Sequence, residues 1–515
     1  MPTKIHNICL TIGLLLAAVP VACANNLSVS NVSLGARDPG TKTLVVKFDL
    51  SWENSWRNKI NHDAVWLTAR LNKNLCQISA AGLNPAGSST GTATNLEFYA
   101  PSDKYGVFVR RSSNGSVGNV STQNAQMTIN YDSCGFTDSD QVSAGIFGME
   151  MVFVPQGSFF AGDYDTGTAS LNKGSADNAP WYINSENAVS VANPANNGFH
   201  YVSNNNAGEY ATGSTFTIPA PFPKGYGPFY VMKYEITEGQ WVEFLNSLPA
   251  AARANRDLTD NVHKNSDSVV ERNTIACSGS PLTCSTQRSS RAVGFLTWMD
   301  LAAFLDWNAL RPMTELEFEK IARGPVLPVP GEYVWGATDI TPAAAISGNE
   351  DGAETIATTA ANARYDNTVL SGGDASGGGE HQRGPLRAGV FATAASTRSM
   401  AGAGYYGVMD LGGNLKERVI NIGNAAGLAF TGSHGNGGLT GAAGYEGNAD
   451  VSAWPGFDAA IERGVTGADG SGFRGGSWAD SADRLRTSDR HEAVLTLSTA
   501  AGTFGGRGAR TYDGN

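Results

Sequence analysis

The residues best able to do chemistry gather near the end of the chain. Between Gly472 and Arg510 the sequence sets Arg474, Arg484, Arg486, Arg490, Arg507 and Arg510 among Asp480, Asp483 and Asp489. Guanidinium and carboxylate at this density form bidentate pairs. In a segment with little regular secondary structure, such pairs satisfy loop carbonyls and acids. The arginines therefore read first as scaffold. Trp478, Asp480, Ser481 and Asp483, with Ser488, His491 and Glu492, have the mixed small and polar character of a recognition surface on a rigid frame, and form the expected ligand-binding set. No serine-nucleophile motif or phosphate loop is evident. His62, His200, His263, His381, His434 and His491 are scattered, without the i, i+4 spacing that puts two imidazoles on one metal.

Four cysteines follow the first 24 residues: Cys76, Cys134, Cys277 and Cys284. The last two flank the turn-rich CSGSPLTC, where a local disulfide is geometrically easy. Cys76 and Cys134 could pair with each other, and free buried thiols are the alternative for all four. No CxxC or Cys/His array suggests zinc.

These residues must be positioned by a chain of 515 residues, too long for one ordinary domain. With 62 Gly, 21 Pro and only 16% charged residues, it reads as loop-rich and β-leaning. A net charge of -11 without a basic run makes nucleic acid an unexpected partner. Lys4 and His6 precede an apolar stretch, Ile8 to Val21, that is short for a membrane span, and Ala22-Cys23-Ala24 fits a small-x-small cleavage site. Residues 1–24 are thus expected to be a signal peptide, and the protein secreted or at the cell surface. A lipid anchor at Cys23 is the weaker reading, because Pro20 and Val21 make a poor lipobox. No later segment is expected to span a membrane.

Residues 25–145 alternate apolar and polar positions around an Asp-Pro-Gly turn, with Leu44, Val46, Phe48 and Leu50 pointing one way. They predict an all-β sandwich of six to eight strands, with further strands in Ala64–Asn72 and Tyr105–Ser113. Residues 146–515 predict a second unit. In it, Thr237 with Gln240, and Thr314 with Glu317, form capping boxes for two helices, and a third helix begins after Thr297. Trp241, Phe244 and Leu245 form the apolar face of the first of these helices. The Asn/Gly/Ser-rich insertion from Tyr164 to Gly213 is expected to be an ordered surface loop, Gly331 to Gly336 a short strand and turn, and no helix is expected beyond it.

Five blocks occur in order within this second unit: MVFVPQGSFFAGD from Met151, YVMKYEITEGQWVEFLN from Tyr230, TWMDLAAFLDW with RPMTELEFEKIARG from Thr297, YYGVMDLGGNLKER from Tyr405, and RGGSW from Arg474. A final GGRGAR follows from Gly505. The set resembles the formylglycine-generating enzyme (sulfatase-modifying factor) family. The resemblance implies an α+β fold related to C-type lectins, with few helices and much irregular structure. It also implies calcium at Asn414 and Glu417 of GGNLKER, with a further site at Asn362 and Asp366. A hard cation takes several oxygen ligands from a tight loop, which these stretches can supply. Where the family block usually reads Trp-Glu-Trp, this chain has Lys416-Glu417-Arg418.

The enzymes of the family oxidise a substrate cysteine with a copper-binding cysteine pair that follows the RGGSW block. Soft thiolates select Cu(I). This chain has no cysteine from Arg474 to Asn515, so copper is not expected. The expected function is therefore a non-catalytic binding or assembly protein, exported, that meets an extracellular protein or glycan, or itself, through the C-terminal segment. The alternatives are an oxidoreductase of the same fold with altered metal chemistry, and a structural subunit of an extracellular assembly.

Overall fold

The computed structural model describes residues 26–79, 95–165, 167–174, 179–192 and 198–514; the expected signal peptide lies outside them. The fold is α+β, with few helices and many short strands. Among the described residues its largest feature is an eleven-stranded sheet. Its strands are β1 (Ser28–Asp38), β2 (Thr43–Arg57), β3 (Asp63–Leu71), β4 (Asn74–Ile78), β5 (Leu96–Tyr99), β6 (Val107–Arg111), β7 (Ser116–Asn130), β8 (Ala144–Val154), β9 (Phe229–Met232), β10 (Arg311–Pro312) and β11 (Gly508–Thr511). The order is β1-β2-β7-β4-β3-β8-β9-β11-β10, with β6 also on β3 and β5 on β6.

The alternation in β2 does what period two requires. Leu44, Val46, Phe48, Leu50 and Trp52 are buried and their neighbours face outward. They pack across a layer gap against Val65, Leu67, Ala69 and Leu71 of β3 and Val107 and Val109 of β6. β4 pairs with both β7 and β3 and so turns the corner between the layers. A disulfide, Cys76–Cys134, fastens that corner. The other disulfide, Cys277–Cys284, joins directly paired residues of a small hairpin.

The N-terminal layers do not stop at a linker. β8 pairs with β3 along Asp63–Leu71 on one side and with β9 on the other. Every residue of β3 is buried, because Val65 and Leu67 face the N-terminal core while Ala64 and Trp66 face the second core. The sheet therefore runs without a break across residues 145 and 146. The C-terminus closes it from the far side: Arg510 makes two 2.5 Å bonds to Asp103, and Asp513 accepts from the Ser102 amide at 2.8 Å.

Five α-helices, among the described residues, serve the second unit: α1 (Glu238–Ser247), α2 (Ala250–Asn255), α3 (Trp298–Trp307), α4 (Glu315–Arg323) and α5 (Ala425–Leu428). Capping boxes start α1, at Thr237 with Gln240, and α4, at Thr314 with Glu317. α3 begins with Thr297 and Asp300 in the same reciprocal arrangement. The single turn of α5 was not expected; Asn424 caps it through Gly427. Gly331 to Gly336 is a turn rather than a strand, with one bridge from Tyr333 to Arg486. The insertion also departs from a plain loop. Its described part builds the segments Asn172–Lys173, Val189–Val191 and Phe199–His200, which pair with one another and with Phe216–Ile218 just beyond it, with Leu171, Trp181, Val191 and Tyr201 buried beneath. Scattered aromatics without periodicity carry enough apolar area to fold such a segment back on the core.

Asp300 does more than cap α3. It accepts from Arg256 at 2.8 Å and from His263 Nε2 at 2.9 Å, while His263 Nδ1 meets Asp260 at 2.6 Å. Burial opposes a charge on His263, but Asp300 and Asp260 outweigh it and lift the imidazole from 6.5 to about 9. A raised value means the stabilisation is complete below the ordinary histidine range and is lost as pH rises through about 9. His263→Gln is expected to lower the urea midpoint at pH near 6 and to flatten the decline between 6.5 and 9. Parallel slopes in variant and wild type would show that His263 stays neutral.

Candidate functional site

The frame of the C-terminal segment is set by α4. The strand Ser471–Arg474 pairs antiparallel with Glu417–Ile420, placing Arg474 opposite Glu417. Arg474 then reaches Glu319 at 2.8 Å and Glu315 at 3.3 Å. Arg490 grips Glu315 in a bidentate fork at 2.5 and 2.9 Å. Arg323 bonds both Glu319 and Glu332. All these groups are shut off from water. Burial works against the charge on Glu315, but Arg490 and Arg474 outweigh it and hold the carboxyl below its ordinary range. The arginines are scaffold, yet the partners of Arg474 and Arg490 are helix glutamates far away in sequence rather than the neighbouring aspartates. Only weaker contacts are local, such as Arg484 to Asp489 at 3.4 Å.

This frame divides the expected ligand-binding residues. Trp478 is 4% exposed, packs with Ala292 and Leu415, and donates its indole N–H to Gly502 O at 3.1 Å. Ser488 is buried against Asp163 at 3.2 Å. Neither faces solvent, so neither presents a side chain at a surface. Ser481 and Asp483 are exposed and bond to each other, while Asp480 and Glu492 are partly exposed and flank the Lys416 ammonium. Asp480 also fixes the turn by accepting from Ser477 N at 2.9 Å and Oγ at 2.6 Å. His491 is half-buried, and its carbonyl accepts from Asn204 and Asn206 of the insertion. The structure thus brings Asp480, Ser481, Asp483 and Glu492 to one polar rim and uses Trp478 and Ser488 as anchors beneath it.

Asn414 stands at a left-handed φ of 60°, accepts from Leu386 N at 2.8 Å, and turns its amide N–H toward Glu235. Glu235 also takes the Leu415 N–H at 2.9 Å. Glu417 Oε1 is bonded by Arg507, and its Oε2 is buried without a partner. Asp410 accepts from Gly389 N at 2.6 Å. Burial and mutual repulsion raise Glu235 well above the usual carboxylate range, burial raises Glu417, and burial lifts Asp410 to about 6. Three acids therefore crowd one guanidinium in a dry place. Carboxylate oxygens are the hard donors calcium takes, but these three do not gather within 4.8 Å of one another and already face the Arg507 guanidinium, so they do not make a built cation site. Asn414 positions Glu235 rather than offering its own oxygen. Asn362 and Asp366 are not brought together: the Asn362 amide bonds Thr341 N and Asp339 O, and Asp366 is exposed, its N–H donating to Asp480 O.

Several functional candidates were missed by sequence reasoning. Glu235 and Asp410 complete the acid cluster, yet lie far from Glu417 in sequence. Asp257 lies with Cys277 and Cys284 so that one ligand atom from each falls within 4.8 Å, but the sulfurs are spent in the disulfide. A cleft of about 780 Å³ opens beside the end of β2, lined by Trp56, Lys233, Tyr234 and Arg387. The register shift between Trp52 and Ser55 breaks the alternation of β2, so Ser55 turns inward to Asp63 and Trp56 faces the cleft. A second cleft lies along α1 and is taken up below.

No curated protein matches the chain. The family model described as the sulfatase-modifying factor enzyme 1-like domain matches residues 146–511, a span that begins in β8 and ends in β11, and includes α4, the acid cluster and the paired arginines. The chain belongs to the sulfatase-modifying factor enzyme 1-like (formylglycine-generating-enzyme-like) family.

Proposed function

We propose that this protein is an exported, non-catalytic binding or assembly protein that meets an extracellular protein or glycan through the rim Asp480, Ser481, Asp483 and Glu492. The observation that carries the reading is a polar rim on a rigid floor: exposed side chains stand over Trp478, Lys416 and the buried arginine–glutamate frame. Pre-ordered loops lose little entropy on binding, which favours recognition. The segment also has no thiolate to hold Cu(I), so it offers no ligand for the cysteine-oxidising chemistry. No helix among the described residues is long and apolar enough to cross a membrane.

The test is a pull-down from the native extracellular fraction with the full chain and with Ala479→Arg/Ser481→Ala/Asp483→Ala, all exposed positions that spare the anchors. A partner held by the wild type and lost by the variant is expected. Equal capture by both would sink the rim as the binding surface, and formylglycine appearing on a sulfatase-type peptide would sink the non-catalytic reading.

A further inference from the structure

The α1 helix has an unusual outer face. Trp241, Phe244 and Leu245 fill the core, as its apolar stripe requires. The opposite flank, with Val242, Glu243 and Asn246, would ordinarily meet bulk water. Here the start of β8, the β3–β4 turn and the Cys277–Cys284 hairpin rise around it and enclose a cleft of about 740 Å³. That volume is in the range of small-molecule sites, roughly 300–1,000 Å³. Its walls are mainly apolar: Phe147 and Val242 line it, and Phe147 is held edge-on to Trp307 at 4.8 Å.

The charges around this cleft are unevenly satisfied. Arg70 donates to the Lys73 and Trp307 carbonyls and lies over the Trp307 ring at 4.3 Å. Lys73 points its ammonium at the Asn246 and Leu248 carbonyls, at 3.4 and 3.3 Å. Both cations are thus committed to main-chain oxygens. The part of β8 that lines the cleft, Ala144, Gly145 and Phe147, carries no titratable group, and the hairpin side contributes Ser285, Thr286 and the disulfide-bound Cys284. Glu243 is different. It has no hydrogen-bond or ionic partner among the described residues, and burial alone lifts its carboxyl to about 7. By surface area Glu243 is only half-buried, so cleft water still reaches it, but an unpaired acid on an apolar wall remains a cost that folding does not explain.

We propose that this cleft binds a small organic amine with an apolar body, its ammonium on the Glu243 carboxylate and its hydrocarbon against Phe147 and Val242. Such a ligand supplies the missing cation and covers the apolar wall at once. The Ser285 hydroxyl at the margin can accept a hydrogen bond from a remaining ammonium N–H. The site is separate from the C-terminal rim and does not depend on it.

The test is calorimetric titration of the full chain with hexylamine and benzylamine, and with hexanol and benzyl alcohol as neutral analogues. The amines are expected to bind and the alcohols to bind at least tenfold more weakly. Because the ammonium needs ionised Glu243, amine affinity should rise about tenfold from pH 6 to pH 8, with proton release at the lower pH. Glu243→Gln should lose amine binding while keeping the fold, since the side chain has no partner to lose. Val242→Trp, which fills the cleft, should lose binding of both ligand types. Amines that bind Glu243→Gln as tightly as wild type, or with no dependence on pH, or no better than the alcohols, would overturn the proposal, as would no binding at all.

Discussion

Glu315→Gln is expected to destabilise this protein by about 3–5 kcal/mol, the range for breaking a buried ion pair and stranding a charge. The reason is the fork on Glu315, where Arg490 bonds both oxygens and Arg474 approaches at 3.3 Å. All three groups are fully buried, so the arginines have no water to fall back on. The companion variant is Glu315→Leu/Arg490→Met, which removes the acid and its closest base together and leaves Arg474 with Glu319 at 2.8 Å. It should cost less than the single change, because apolar side chains of similar size replace a buried pair at little loss. Denaturant unfolding of wild type and both variants decides the matter. A double variant less stable than Glu315→Gln would show that the pairing argument is wrong. The pH sign is also set. The Glu315 carboxyl is held below its ordinary value, so its stabilisation is complete above the usual carboxylate range and falls away as acid carries the pH down through the depressed value.

Removing the Cys76–Cys134 disulfide is expected to be nearly as costly, for a different reason. Its cysteines are 58 residues apart, and closing so long a loop withdraws about 4 kcal/mol of chain entropy from the unfolded state. Cys277 and Cys284 are only 7 apart, which corresponds to about 2.5 kcal/mol on the same model. Cys76→Ala/Cys134→Ala should therefore lower the thermal midpoint more than Cys277→Ala/Cys284→Ala. The first pair also anchors β4, the strand that joins the two layers, so its loss should appear earliest as exchange of the β4 and β7 amides. A larger drop for the hairpin pair would mean that local packing outweighs loop entropy here.

The elements that were legible in the sequence share a short range. Capping boxes at Thr237 and Thr314 need only a residue and its third neighbour, and both formed as read. The alternation in β2 reports its own buried face, the strand at β6 fell within its expected segment, and β3 matches its own but for starting one residue earlier, at Asp63. The ordered blocks from Met151 to Arg510 identified the family, because they encode the turns and close backbone approaches on which that fold is built. Short strands in the insertion escaped notice because single aromatics such as Trp181 and Tyr201 have no period to betray them.

The candidate site divides in the same way. The sequence by itself determined which residue types are present: arginines in excess over nearby acids, an acid after GGN, and no thiol beyond Arg474. Only the tertiary structure decided their partners. Arg490 found Glu315, 175 residues away, and Asn414 found Glu235, 179 residues away. It also placed Trp478 beneath the surface and Asp483 upon it, although both lie in the same polar run. The N-terminal strands and the second unit share one sheet because β3 offers an apolar face on each side, and each face becomes meaningful only when another part of the chain covers it. Local order follows from neighbours along the chain; burial and charge pairing follow from neighbours in space, and for a segment built of loops nothing in its own pattern says which neighbours those will be.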